Sequence, residues 1–264
     1  MVTPYPDVNK VLNLLLVKAK AILGGQMTGL YLYGSLASGD FDLHSSDIDF
    51  AFVTESVLPP ETVAALEAMH REIWAGGLKW AAKLEGAYVP KSLIRRHDPH
   101  GPAIPTVNEG AFYLAELGSD WVIQRHVIRE CGVVLAGPDP KTLIDPVSPD
   151  DIRQSVLGVL RAWWFPMLEN PEWLAERGSV YHAYAVISLC RALHALRHGT
   201  IVSKPVAAQW AQENYPAWKD LIAQALRSQH GEHPAFLEAA LAFLRFTKTQ
   251  VDADGGFQNT SAKI

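Results

Sequence analysis

The most constraining feature of the sequence is a glycine–serine pair followed, twelve residues after the serine, by the first of two aspartates. An apolar segment leads into Gly34 and Ser35, and Asp47 and Asp49 open a second apolar segment. Alternating apolar side chains bounded by Gly, Ser and Asp are typical of strands joined by a loop. The pattern therefore predicts two β-strands with polar groups concentrated where the first ends and the second begins.

The glycine–serine pair has the properties of a phosphate-binding turn. Gly34 allows the backbone to turn sharply and to approach a ligand closely. Ser35 adds a hydroxyl donor, and a short helix starting near Leu36 would direct its free backbone N–H groups at phosphate oxygens. This part of the motif predicts contacts to the phosphates of a nucleotide.

The two aspartates predict a metal site beside that turn. Residues two apart on a strand point to the same face, so Asp47 and Asp49 project together. Mg²⁺ prefers a small number of carboxylates completed by substrate phosphates and water, and such ions stabilise phosphoryl-type transfer. We expect Mg²⁺ on Asp47 and Asp49, and we interpret Asp40 and Asp42 as loop residues without a catalytic role.

This unit resembles the signature of the polymerase-beta-type nucleotidyltransferase superfamily. Residues 132–147, 187–193 and 199–210 are similar to the domain junction and helical domain of the aminoglycoside 3''-adenylyltransferases. That family transfers AMP from ATP to a hydroxyl of streptomycin or spectinomycin. The resemblance implies an α+β fold, with an N-terminal nucleotidyltransferase domain of a mixed sheet and flanking helices, a C-terminal all-α domain, and an active site in the cleft between them.

A proline-rich stretch predicts the domain boundary. Residues 138–149 contain four prolines, and Ser148 with Asp151 forms a plausible helix N-cap. We therefore expect a nucleotidyltransferase domain over residues 1–147, a helical substrate-binding domain over 148–251 and a flexible tail over 252–264. The composition also predicts a loop over residues 97–110, and helices over 149–165, 177–198, 203–214, 216–229 and 234–250.

Glu85 is the expected third carboxylate. It lies in a strand-like segment, residues 84–89, and would lie beside Asp49 if the two strands were adjacent. The resemblance places the family's catalytic glutamate here, where it would take the proton from the acceptor hydroxyl or hold a second metal ion. The alternative is an exposed glutamate at a strand edge.

Three further residues are candidates for nucleotide binding. The resembling family has a lysine at the place of Lys204, which could reach the triphosphate; otherwise Lys204 is a solvated surface lysine. Arg191, in an apolar helical segment, would pair with an acid or contact phosphate. Ser46 would donate to phosphate or cap the start of the strand.

The region that binds the acceptor in the family differs here. The family's acceptor-binding acidic and aromatic residues lie near the start of the helix that contains residues 187–193, where this chain has residues 176–184. Glu176 is the carboxylate in that segment that could bind the guanidinium groups of a streptomycin-like acceptor.

Net charge and hydropathy indicate which kinds of partner the protein binds. The net charge of −5 over 264 residues argues against a nucleic-acid-binding surface. No apolar run approaches the ~18 residues of a membrane span, and no secretory segment is evident at the N-terminus. The sequence predicts a cytoplasmic monomer or weak dimer whose partners are ATP and a small-molecule acceptor, with neither nucleic acid nor a membrane.

Two other functions are compatible with the motif. One is a protein-modifying, AMP-attaching nucleotidyltransferase of a toxin–antitoxin type, which would copurify with a partner protein. The other is a non-catalytic nucleotide-binding module, which would bind ATP without releasing pyrophosphate.

Overall fold

The structure is a computed structural model that describes residues 2–44, 46–228 and 233–253. The chain divides into two compact units, one over Met1–Val147 and the other beginning at Ser148. The first unit combines a sheet with helices, and the second is helical over its described residues. The predicted α+β fold class, with a mixed sheet followed by a helical region, is confirmed.

The first unit is built on a six-stranded mixed sheet in the order β5-β4-β3-β2-β1-β6. Strands β2 and β3 run parallel, and every other neighbouring pair that the structure describes is antiparallel. The strands are β1 (Met27–Leu32), β2 (Ile48–Thr54), β3 (Leu84–Pro90), β4 (Ile104–Asn108), β5 (Ala111–Ala115) and β6 (Val133–Ala136).

The helices of this unit cover both faces of the sheet. They are α1 (Pro6–Leu23), α2 (Gly34–Ser38), α3 (Pro60–Ala75), α4 (Lys91–Arg95), α5 (Asp120–Cys131) and α6 (Pro140–Leu143). Helix α3 makes the crossover that a parallel strand pair requires. A short 3₁₀ turn, Ala81–Lys83, leads directly into β3.

Strand alternation separates the two faces of β2. Ile48, Phe50 and Phe52 are fully buried in the core formed with α1 and α3, and burial of each such side chain contributes roughly 1.5–3 kcal/mol. Ala51 and Val53 are buried on the opposite face, in the core that includes Trp121 of α5. Asp49 has the same parity as Ala51 and Val53, so the polar end of this second face lies beside α5.

The expected loop over residues 97–110 is wrong in its second half. Residues 104–108 form β4, which pairs with β5 from Ile104↔Ala115 to Asn108↔Ala111. Ile104 and Val107 are buried, so partners distant in sequence stabilise a strand in a segment rich in Pro and Gly. The hairpin turns at Glu109 and Gly110, which both have positive φ values.

The second unit is arranged around one long helix. Its helices are α7 (Pro149–Val159), α8 (Glu172–Ala175), α9 (Gly178–His198), α10 (Lys204–Asn214), α11 (Lys219–Arg227) and α12 (Leu237–Ala253). Helix α9 packs against α7, α10, α11 and α12. Ser148 and Asp151 form the predicted capping box: Ser148 Oγ accepts from the Asp151 N–H at 3.1 Å, and Asp151 Oδ2 accepts from the Ser148 N–H at 3.0 Å.

Several predicted boundaries in this unit need correction. The helix expected over 149–165 is α-helical to Val159 and continues as a π turn, Leu160–Trp164, and a 3₁₀ turn, Phe165–Leu168, that contains Pro166. Proline has no N–H for the helical ladder, which explains the change of winding.

The last helix of the second unit extends to Ala253, and the tail expected over residues 252–264 stays a prediction. Residues 254–264 lie outside the described residues. Over the helices that the structure describes, none has the length and hydropathy needed to cross a membrane.

Candidate active site

The glycine–serine motif forms a tight turn between β1 and α2. The backbone N–H of Tyr33 donates to the carbonyl oxygen of Asp49 at 3.1 Å, which ties the end of β1 to β2. Gly34 then adopts φ +58°, a left-handed conformation that favours glycine, and α2 begins at this residue rather than at Leu36. The expected short helix after the motif is present.

The two halves of the motif are in contact. A Cβ atom on Gly34 would lie 1.9 Å from Oδ2 of Asp49, well inside the contact limit. The carboxylate of Asp49 therefore occupies the space that the missing side chain leaves. Glycine is required here twice, once for the backbone angle and once for the approach of Asp49.

The register of β2 and β3 assembles the carboxylates. Asp49 pairs with Glu85 in this parallel register, as expected from adjacent strands. Asp47 immediately precedes β2, and its Oδ1 atom lies 3.0 Å from Nζ of Lys83. The Asp47 and Lys83 side chains are 39% and 49% exposed, so this ion pair is open to exchange with solvent ions.

The donor set fits a magnesium ion shared with a substrate. No group of three or more His, Cys, Asp or Glu side chains able to hold a metal occurs among the described residues. Two carboxylates, Asp47 and Asp49, with the remaining positions left to phosphate and water, match the preference of Mg²⁺. The ammonium group of Lys83 beside Asp47 shows that this position accepts positive charge.

Tyr33 lies among the carboxylates of the site. Its ring is buried, and burial raises the pKa of its phenol well above the usual value, with further increases from the charges of Asp49, Glu85 and Asp120. The ring also makes an edge contact with Trp121, with centroids 6.4 Å apart. Tyr33 therefore stays neutral and places a hydroxyl near three carboxyl groups.

A cavity of about 200 Å³ opens beside Glu85 in the first unit. Its lining includes Tyr33, Tyr113 and Trp121, and the charged residues that line it in the described part of the chain are Glu85, Glu116 and Asp120. Pockets for whole small molecules measure roughly 300–1,000 Å³, so this cavity can receive one part of a larger ligand.

Asp120 is a partly buried acid in the lining of this cavity. Burial raises the pKa of its carboxyl group, opposed by hydrogen bonds from the backbone N–H groups of Asp120 and Trp121 and by the charge of His97. A carboxyl group in this setting can hold a cationic or hydrogen-bonding group of a ligand, because the ligand relieves the cost of its buried charge.

Ser46 has a local partner. Its Oγ accepts from the backbone N–H of Asp42 at 2.9 Å, and its own N–H donates to the Asp42 carbonyl at 3.1 Å. The side chain thus closes a turn in the loop before β2. This position, directly before Asp47, keeps Ser46 near the predicted metal site.

The other predicted residues lie in the second unit. Lys204 is the first residue of α10, with Nζ 5.7 Å from the ring centroid of Tyr184. Arg191 is partly buried in α9, and Glu176 is exposed at the end of α8. Their roles in binding nucleotide or acceptor stay predictions.

Sequence reasoning missed Lys83, Tyr33 and Asp120. For Lys83 a signal was available: it lies two residues before Glu85, as Asp47 lies two before Asp49, so a parallel pairing of the strands brings the two together. Tyr33 and Asp120 had no comparable signal, because an aromatic residue at a strand end and an acid at a helix start are common.

The chain is similar in sequence to known proteins. The family model described as "Aminoglycoside adenylyltransferase, C-terminal domain" matches residues 142–244. The aminoglycoside (3'') (9) adenylyltransferases of Klebsiella pneumoniae and Escherichia coli are 26% identical over 224 residues, which cover 78% of this chain and 79% of each relative. A relative of the same description from Rhizobium radiobacter is 27% identical over 147 residues, covering 54% of this chain and 51% of its own length.

The fold is also that of a solved enzyme. The crystal structure of spectinomycin adenyltransferase AAD(9) from Enterococcus faecialis, with ATP and spectinomycin, matches with a TM-score of 0.72 and 17% identity. The match covers 91% of this chain and 99% of that one. At this identity the match shows a shared fold. Together with the sequence similarities, it shows that the chain is similar to the aminoglycoside adenylyltransferases.

Proposed function

We propose that this protein transfers AMP from ATP to a hydroxyl group of an aminoglycoside. The observation that carries the proposal is the contact between the Gly34 turn and Asp49, with Asp47 two residues before Asp49 and Glu85 opposite Asp49. This arrangement joins a phosphate-binding turn, a pair of metal-binding carboxylates and a base, which are the parts that nucleotidyl transfer needs.

The nucleotide would be held from the turn. Gly34 and Ser35 would bind the phosphates through backbone N–H groups and a hydroxyl, and Ser46 would add a second hydroxyl. Asp47 and Asp49 would hold Mg²⁺, which supplies charge neutralisation for the triphosphate. Lys204 is proposed as a further phosphate contact on the strength of the family resemblance. Arg191 is proposed as another because a charged side chain in an apolar helical segment pairs with an opposite charge.

Glu85 would act on the acceptor. It lines the cavity beside Asp49, so a hydroxyl bound there can give its proton to the Glu85 carboxylate. The resulting oxygen nucleophile attacks the α-phosphorus of ATP, and the bond to the β-phosphate oxygen breaks to release pyrophosphate. A base positioned in this way contributes roughly 10²–10⁴-fold to the rate. Alternatively, the Glu85 side chain would bind a second metal ion.

The acidic cavity favours an acceptor with positive charge. Glu116 and Asp120 line the same cavity as Glu85, so their carboxylates can hold an ammonium or guanidinium group of the acceptor close to the reacting hydroxyl. The named relatives are aminoglycoside adenylyltransferases, and the solved structure contains spectinomycin. Spectinomycin and streptomycin are therefore the first acceptors to test.

The test is pyrophosphate release by the purified protein with ATP and Mg²⁺ across a panel of aminoglycosides. We expect release that depends on a particular aminoglycoside, and a product heavier than that drug by one AMP. ATP binding without release for any acceptor would overturn the proposal in favour of a non-catalytic module. AMP attached to a copurifying protein would overturn it in favour of a protein-modifying enzyme.

A further inference from the structure

We infer that Lys83 positions Asp47 in the nucleotide-free enzyme and competes with the divalent cation for it, so that Lys83 weakens binding of the cation alone and this loss is reduced when the cation binds together with the nucleotide. The inference rests on the proposed metal site and assigns a role to a residue outside the motif. It concerns the order in which the site is filled rather than the transfer itself.

The strand register brings Lys83 to Asp47. The parallel pairing of β2 and β3 begins with Ile48↔Leu84 and continues with Asp49↔Glu85. Asp47 and Lys83 are the residues directly before this pairing begins, and Lys83 Nζ lies 3.0 Å from Asp47 Oδ1. Lys83 ends the 3₁₀ turn before β3, and Asp47 directly precedes β2, so the pair lies just outside the start of both strands.

The backbone of Lys83 is held by a hydrogen bond, whereas its side chain is exposed enough to leave Asp47. The Lys83 N–H donates to the carbonyl of Trp80 at 3.1 Å, and the Trp80 side chain is buried. The Lys83 side chain is 49% exposed and the Asp47 side chain 39%. The ammonium group can therefore leave Asp47 by rotation of the side chain, without a change in the strand.

The strength of the pair sets the size of the effect. Exposed ion pairs stabilise weakly, so the Lys83 ammonium can lower the affinity of Asp47 for a divalent ion but cannot exclude the ion. Once the ion arrives with a triphosphate, the released ammonium faces the negative charge of the phosphates instead. Removal of Lys83 should thus raise the affinity for the ion alone and reduce the gain that the nucleotide brings.

The experiment is a Mn²⁺ titration of the full chain without nucleotide, followed by electron paramagnetic resonance. We expect Lys83→Met to raise Mn²⁺ affinity about two- to fivefold, the range that a weak exposed pair allows, and Lys83→Arg to bind as the wild type does. The matched control is Lys91→Met. Lys91 pairs with Glu55 one step beyond the opposite end of the same two strands, at 2.6 Å and similar exposure, so its removal costs the same charge away from the site.

A second titration includes a non-hydrolysable ATP analogue. The gain in Mn²⁺ affinity on adding the analogue should be smaller in Lys83→Met than in the wild type, because coupling between two ligands is reciprocal. Equal Mn²⁺ affinity in wild type, Lys83→Met and Lys91→Met would overturn the inference.

Asp47→Asn separates this inference from the proposed function. If Asp47→Asn weakens Mn²⁺ binding while Lys83→Met leaves it unchanged, the role of Lys83 is wrong and the metal site stands. If Asp47→Asn binds Mn²⁺ as the wild type does, the metal assignment itself is wrong, and the inference is wrong with it. Circular dichroism of each variant confirms the fold, and Lys83→Gln replaces Lys83→Met if the latter does not fold.

Discussion

The Oδ2 atom of Asp49 occupies the space in which a side chain on Gly34 would begin, 1.9 Å from the position of its Cβ. The turn proposed to bind phosphate and the strand that carries the proposed metal ligands are therefore in direct contact. Movement of either residue displaces the other, so the spacing of the motif reflects a physical contact as well as a chemical requirement.

Gly34→Ala should remove activity by moving the Asp49 carboxylate. Displacement of a catalytic group by about 1 Å can cost about a hundredfold in rate, and we expect at least that loss. The left-handed backbone also adds strain of about 1–2 kcal/mol. The measurement is AMP transfer together with thermal unfolding.

Gly77→Ala is the matched control for that variant. Gly77 has φ +71°, and its added Cβ would have nothing within 4 Å, so it introduces backbone strain without a new contact. It should lose stability like Gly34→Ala and keep full activity. Equal activity in the two variants would show that the contact with Asp49 has no functional role.

Glu85→Gln should lower kcat by roughly 10²–10⁴-fold, because glutamine cannot accept the proton of the acceptor hydroxyl. Mn²⁺ affinity should stay at the wild-type value if Glu85 acts as the base alone. Glu116→Gln, in the lining of the same cavity, should change KM for the acceptor more than kcat. A kcat for Glu85→Gln within twofold of the wild type would exclude Glu85 as the base.

Asp120→Asn should stabilise the protein while weakening acceptor binding. Burial raises the pKa of Asp120, so the folded state binds the proton more tightly than the unfolded state and stability falls as pH rises through that interval. Asparagine carries no charge, so the variant should have a higher Tm than the wild type at pH 8 and a smaller advantage near pH 4. An unchanged KM for every cationic acceptor would argue against Asp120 as a ligand contact.

His70 should make the first unit sensitive to acid. Its Nε2 lies 2.9 Å from the Tyr88 hydroxyl, and burial lowers the pKa of the ring from 6.5 to about 4. The unfolded chain then binds a proton that the folded chain does not, so stability is complete above pH 6.5 and falls by about 3 kcal/mol as pH decreases to 4.

His70→Gln tests this by removing the titrating group while keeping a side chain able to hydrogen-bond. Denaturant unfolding of wild type and variant at pH 7.5 and pH 5 measures the effect. The loss of stability between the two pH values should be smaller in the variant. The same loss in both proteins would assign the acid sensitivity to other groups.

The first three strands and the carboxylates were predictable because their signals are local. Gly34, Asp47 and Asp49 mark the ends of apolar segments, and Glu85 stands in a third such segment. By contrast, β4 contains Pro105 and follows a stretch rich in Pro and Gly, and its pairing with β5 stabilises it. The strand propensity of a short segment does not include the stabilisation that a partner strand elsewhere in the sequence provides.

The structure adds three residues that the sequence analysis did not identify, Lys83, Tyr33 and Asp120. Lys83 is an ordinary lysine in sequence, and its meaning comes from the parallel register that sets it beside Asp47. Tyr33 and Asp120 lie near Glu85 because α5, which begins at Asp120, packs on the face of the sheet where the Tyr33 side chain is buried. The roles of Lys204 and Arg191 in binding phosphate stay predictions.

The most direct test of the proposed metal site is AMP transfer by the Asp47→Asn, Asp49→Asn double variant, measured with α-labelled ATP, Mg²⁺ and the aminoglycoside that the wild type prefers. We expect no labelled drug from the variant and a circular dichroism spectrum like that of the wild type. Labelled drug formed at the wild-type rate by the folded double variant would contradict the proposed metal site.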